Sequence, residues 1–150
     1  MKMILILIGS LSILLFITCD PGDYKLTFNN KTDKAIFVRF CFIDNEKIHG
    51  SGGGLSPVTR KEKKVIGIIG TWESEFKRLE PIQMMHVIVY NNYAFLADPF
   101  EQSTKIKSDS LLRIGDYRYK KYSYEELVSR NWKIVYPDDG FEEGIPLEID

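Results

Sequence analysis

Cysteine is nearly absent from the chain, which holds only Cys19 and Cys41. If Cys19 is modified, no intrachain disulfide can form, and the fold has to stand on packing alone. Histidine is as scarce: His49 and His86 are the two, and neither sits in a hydrolase or metal-site spacing. Net charge is missing too, because 20 basic residues nearly cancel 21 acidic ones. That balance removes the electrostatic footprint of a nucleic-acid binder. No alanine precedes Ala35, so the small-residue site of ordinary secretory cleavage is lacking. Nor does the apolar run from Met3 to Thr18 reach the ~20 residues needed to cross a bilayer.

What does stand at the start is Met1-Lys2-Met3, an almost unbroken apolar run from Ile4 to Phe16, and then Ile17-Thr18-Cys19-Asp20. This is the layout of an export signal. Phe16-Ile17-Thr18-Cys19 resembles a bacterial lipobox, with Phe16 and Thr18 where leucine and a smaller residue are usual. The resemblance implies that residues 1–18 are a lipoprotein signal peptide and that Cys19 is linked to diacylglycerol. Several acyl chains at ~0.8 kcal/mol per buried CH₂ make a durable anchor. The expected place is therefore the cell envelope, lipid-anchored on the outer membrane at its periplasmic or surface face, with membrane lipid as a partner through Cys19. Residues 19–23 form the tether, in which Pro21 and Gly22 stand between two aspartates.

Residues 24–137 read as one β-rich domain. Tyr24, Leu26 and Phe28 alternate with polar residues, and Ile36, Val38, Phe40 and Phe42 share a face, the period of two of a strand. The other face of that second strand mixes Phe37 and Cys41 with Arg39, and Cys41 reads as a small buried hydrophobe. Further strands are expected at Val65 to Ile69, Gln83 to Tyr90, Leu111 to Ile114, Tyr117 to Tyr119 and Trp132 to Tyr136, with Asp98 to Asp109 as a polar loop. Thr71 begins a helix pattern in which Trp72, Phe76 and Leu79 share a face. Ser123-Tyr124-Glu125-Glu126 is a capping box for a second helix, from about Tyr124 to Arg130. The acidic stretch 138–150 reads as an exposed tail. The fold class expected is all-β: an antiparallel sandwich or partly open barrel of seven to eight strands with one or two short helices.

Two stretches carry a wider likeness. Tyr24-Lys25-Leu26-Thr27-Phe28-Asn29-Asn30 lies at one end of the domain. Tyr122-Ser123-Tyr124-Glu125-Glu126-Leu127, followed by Asn131-Trp132-Lys133-Ile134-Val135-Tyr136-Pro137, lies at the other. In these the chain resembles small cell-envelope lipoproteins of anaerobic Gram-negative bacteria. That group has no established activity, so the resemblance implies location and fold and transfers no site residue.

Candidate chemistry is thin. Gly50 to Gly54 lacks the Gly-Lys-Ser/Thr ending of a phosphate loop and reads as a plain loop. His86 shares a strand face with Met84, Ile88 and Tyr90, and His49 abuts the glycine run; a catalytic role for either has no partner behind it. The carboxylates of Asp138 to Glu143 lack a calcium-loop pattern, so no metal and no cofactor is expected. Tyr117, Tyr119, Tyr122 and Tyr124 interleave with Arg118, Lys120 and Lys121, a mixture able to stack on sugar rings and hold anionic groups. The competing reading is an amphipathic strand whose tyrosines cover the core. Asp109-Ser110-Leu111 resembles the short sequence at which some of these bacteria attach O-glycans, which points to Ser110. The function expected is a non-catalytic module for a glycan or an envelope protein, and the rival is a hydrolase of envelope or extracellular polymers. A pocket pairing His86 or His49 with a carboxylate would favour the enzyme.

Overall fold

The computed structural model describes residues 23–44, 47–49, 55–79, 84–97 and 101–147. The signal segment, Cys19 and the Gly50 to Gly54 loop lie outside the described residues. In chain order the elements are β1 (Asp23–Asn30), β2 (Ile36–Asp44), β3 (Lys47–His49), β4 (Leu55–Val58), β5 (Lys63–Ile68), α1 (Trp72–Arg78), β6 (Met84–Tyr90), α2 (Tyr93–Leu96), α3 (Glu101–Ile114), β7 (Arg118–Ser123), α4 (Tyr124–Ser129), β8 (Lys133–Tyr136) and β9 (Glu142–Glu143).

The strands form a sandwich of two sheets, not a closed barrel. The small sheet runs β5-β1-β8, and the large one runs β3-β2-β6-β7-β9 with β4 also paired to β2. Pairing is antiparallel except between β1 and β8, which run parallel. The alternation read in β2 holds. Ile36, Val38, Phe40 and Phe42 are fully buried between the sheets, with Leu26 and Phe28 of β1 and Val87 and Val89 of β6. Aromatic rings interlock there edge to face, Phe28 with Phe40 at 6.2 Å and Phe42 with Phe76 at 5.0 Å. Each such side chain, fully buried, contributes ~1.5–3 kcal/mol.

The other face of β2 and β6 is buried as well. Phe37, Cys41, Ile88 and Tyr90 form a second apolar cluster with Leu96 of α2 and with Leu111 and Leu112 of α3. Residues 101–114 are therefore helix, where the sequence reading expects a polar loop and a strand at Leu111 to Ile114. The buried stripe Thr104, Ser108, Leu111 and Leu112 has helical spacing. Two of its members are polar, which hides the period. Arg39, itself buried, crosses from β2 to α3 and bonds Asp109 at 2.9 Å. Burial leaves Cys41 wholly inaccessible and pushes its thiol up to about 12.

Three local expectations change. Tyr24 does not follow Leu26 and Phe28 into the core, because a bulge between Asp23 and Leu26 shifts the register by one residue. Its ring lies on Gly67, where any Cβ would overlap it, and Tyr24 remains 67% exposed. The reciprocal capping box belongs to α1, where Thr71 and Ser74 cap each other. At α4 the Ser123 hydroxyl accepts from Glu126 N–H at 3.1 Å, the serine half of the motif. Finally, residues 138–147 fold back as a strap where the sequence reading expects a tail, although Asp138, Glu142, Glu143 and Ile145 remain exposed. β9 pairs with β7, and Leu147 N–H bonds the Leu112 carbonyl at 3.0 Å. Asp139 accepts from Tyr122 Oη and from Val135 N–H, both at 2.8 Å. The strap crosses Tyr117 through Gly144, where a Cβ would meet the ring at 2.7 Å.

At the junction of the sheets sits Asn30, fully buried at the end of β1. Its amide nitrogen donates to the carbonyls of Lys34 and Thr59 at 2.8 and 2.9 Å, and its oxygen accepts from Thr32 N–H and Oγ1 at 3.0 and 2.7 Å. Four bonds satisfy the side chain and latch the turn before β2 to the end of β4.

Candidate functional site

The sequence places its aromatic and cationic candidates on one strand, and strand alternation then divides them between two faces. Tyr122 points inward, is fully buried, and bonds Asp139. Burial and that carboxylate raise its phenol far above the ordinary range. Tyr124 opens α4 and packs half-buried on Phe76 and Trp132 at 5.7 and 5.8 Å. Tyr117 is buried in the second cluster, with its hydroxyl donating to the Ile145 carbonyl at 2.7 Å. These three tyrosines thus serve packing, and Tyr117, Tyr119, Tyr122 and Tyr124 do not make one surface. Arg118 pairs with Glu143 at 2.6 Å. Lys120 lies 5.4 Å over the Tyr122 ring. Ser110 is exposed on α3, bonded to the Ile106 carbonyl at 3.0 Å, while its neighbours Asp109 and Leu111 are held in the interior contacts described above.

What remains is Tyr119, and it stands at a pocket. On the outer face of the large sheet, beyond the area covered by α3, a cavity of about 220 Å³ opens against β2, β6 and β7. Ile43 and Ile88 form its floor, Tyr117 and Tyr119 one wall, and Ile145 and Leu147 of the strap another, with His86 and Lys121 as its basic groups. The register explains the convergence, since His86 faces Lys121 across the β6–β7 ladder and Tyr119 faces Ile88. The rings of His86 and Tyr119 lie 6.5 Å apart at 32°, and Lys121 Nζ is 6.0 Å from the Tyr119 ring.

Electrostatically the pocket is cationic, with no carboxylate among the described residues that line it. Desolvation by burial, with help from Lys121, lowers His86 to about 4, so the imidazole is neutral at pH 7. Lys121 is exposed and forms no ion pair among the described residues. A second depression of about 200 Å³, lined by Tyr119, Lys120, Lys121, Gly140 and Glu142, adjoins it across the Tyr119–Lys121 ridge. Tyr119 Oη donates to Glu142 there at 3.0 Å. No cluster of three potential metal ligands occurs among the described residues, and none of their helices is long and apolar enough to cross a membrane.

Sequence reasoning missed Ile43, Ile145, Leu147 and Lys121's pairing with His86. The alternation of β6 and β7 carries the His86–Lys121 side of the site, but the strap residues carry no local signal, since they become a wall only through β9. Comparison with family models, with curated proteins and with solved structures finds no match to this chain.

Proposed function

We propose that this chain is a non-catalytic binding module of the cell envelope, tethered by lipid at Cys19, that takes an acidic sugar residue of a glycan in the Tyr119–Lys121 pocket. The observation that carries the reading is an apolar, aromatic-walled pocket beside a lysine with no ion-pair partner among the described residues. An aromatic wall stacks on the apolar face of a sugar ring, and the ammonium then meets its carboxylate. The size supports one ring: about 220 Å³ is below the ~300–1,000 Å³ of pockets for drug-sized ligands. Hydrolysis is the weaker reading, because His86 faces a lysine and no carboxylate stands beside it among the described residues of the lining.

The test is a glycan array probed with the full chain in detergent, followed by calorimetry on any hit. Tyr119→Ala and Lys121→Ala, with folding verified by circular dichroism, should each weaken binding by tenfold or more, about 1.4 kcal/mol. Parent-like binding by both variants would overturn the assignment. The tether is tested separately by Cys19→Ser, which should abolish acyl labelling.

A further inference from the structure

The outer face of the small sheet carries an apolar patch that the pocket does not use. Val65 and Gly67 point outward from β5, opposite the buried Ile66 and Ile68, and Ile69 continues their alternation just past the strand. The β1 bulge lays Tyr24 on Gly67, between Val65 and Ile69. Tyr24 is 67%, Val65 51% and Ile69 87% exposed. The neighbouring charges are Lys63 at the start of β5 and the cluster in which Lys25 pairs with both Asp23 and Glu73.

The spacing between Cys19 and β1 says what can cover this patch. Tyr24 is the second residue of β1, and Cys19 precedes Asp23 by four positions, after the apolar run ending at Phe16. Four residues reach at most about 14 Å. A lipid on Cys19 therefore holds Asp23 within about that distance of the bilayer, and Asp23 adjoins Tyr24 in the chain and pairs with Ile68, the neighbour of Ile69. We infer that Tyr24, Val65 and Ile69 rest on the membrane surface, so that the domain lies with its small sheet down. The inference relies on the tether proposed above. A tyrosine ring with aliphatic neighbours suits the interfacial zone, where the ring is half-solvated. Three side chains bind a membrane weakly by themselves, but a short tether raises their local concentration so far that weak contact suffices. Because the sheets pack face to face, the outer faces point in opposite directions, and the Tyr119–Lys121 pocket then opens away from the membrane.

The test uses the full lipidated chain in vesicles of phosphatidylethanolamine and phosphatidylglycerol, with an environment-sensitive fluorophore on Ile69→Cys or Lys121→Cys. Buried Cys41 stays silent in the folded protein. The probe at 69 should shift to the blue and become several-fold less accessible to iodide than in detergent-free aqueous peptide controls, while the probe at 121 stays accessible. Tyr24→Ser with Ile69→Glu should still float with vesicles, yet leave a probe on Val65→Cys unshielded. Equal iodide access at 69 and 121 in floating protein would overturn the orientation alone. Failure to float would overturn the tether and the orientation with it. Shielding that grows with protein density, together with cross-links between copies, would assign the patch to a second copy and equally overturn the proposal.

Discussion

The two faces of β2 and β6 are packed in different ways. Between the sheets, Phe40 meets Phe28 and Trp72, and Phe42 meets Phe76, with Val38, Val87 and Val89 filling the gaps. On the outer face the same strands meet α3 through a smaller cluster that admits Arg39, Asp109, Thr104 and Ser108, and beyond α3 that face opens into the pocket. The inner layer is held mainly by apolar contact, with the Tyr122–Asp139 bond at its margin. The outer layer is held by contact plus directed polar bonds, among them the Arg39–Asp109 ion pair, and it leaves a cavity open. The tightest apolar packing and the open cavity thus lie on opposite faces of the same strands.

The largest effect should come from the inner face. Phe40→Ala removes a fully buried ring that packs on Phe28 of the small sheet and on Trp72 of α1, and denaturant titration should show a loss of ~3–5 kcal/mol. If the loss is below ~1 kcal/mol, the inner layer is not the stabilising one.

On the outer face, Asp109→Ala strands a buried guanidinium, for an expected loss of ~2–3 kcal/mol. Arg39→Met combined with Asp109→Leu should recover most of that loss, because an apolar pair of similar volume avoids burying charge. A double variant no better than the single would mean that the ion pair holds α3 in place by itself.

Lowering the pH probes the same face through His86. Its folded value, about 4, is depressed below the ordinary 6.5, so between these values the unfolded chain binds the proton and the folded one does not. Stability should fall as pH drops from 6.5 to 4 and level off below, by ~1–2 kcal/mol once partial exposure is allowed for. His86→Gln should flatten that slope. Asp109 and Asp139 are depressed below 3.8, so their contributions persist through this window and are lost only in stronger acid. A slope unchanged in the variant would show that the imidazole is not the group being read.

The smallest effect is expected at Ser123→Ala, about 1 kcal/mol, since the hydroxyl satisfies one backbone N–H at the start of α4. Coincident thermal unfolding curves would remove the cap from the account.

The contrast between the faces also governs what could be read from residue order. Inner-face positions in β2, β6 and β8 announce themselves by alternation, because only apolar side chains fit there. The outer layer resists such reading. Thr104 and Ser108 occupy the buried stripe of α3, and Thr104 is accepted there because its hydroxyl bonds the Leu96 carbonyl at 3.1 Å, a partner eight residues away. Asp139, legible only as one carboxylate of an acidic end, is half-buried under Tyr122. As for the site, the tyrosine and lysine run led to Tyr119, but alternation alone assigns Tyr122 to the opposite side. Ile145 and Leu147 become visible only when the strap is folded back.

Asn30 bears on how the protein ages. An asparagine loses its amide when the backbone nitrogen of the next residue attacks the side-chain carbonyl. Here that nitrogen, Lys31 N, donates to the Tyr136 carbonyl at 2.9 Å, and the Asn30 oxygen is turned toward Thr32 by two donors. The reacting atoms are thus held apart for as long as β1 stays paired with β8. Unfolding starts the clock, and the resulting aspartate would aim a carboxylate at the carbonyls of Lys34 and Thr59, which the amide nitrogen now satisfies. Damage done in the open state would therefore be recorded as chains that no longer close.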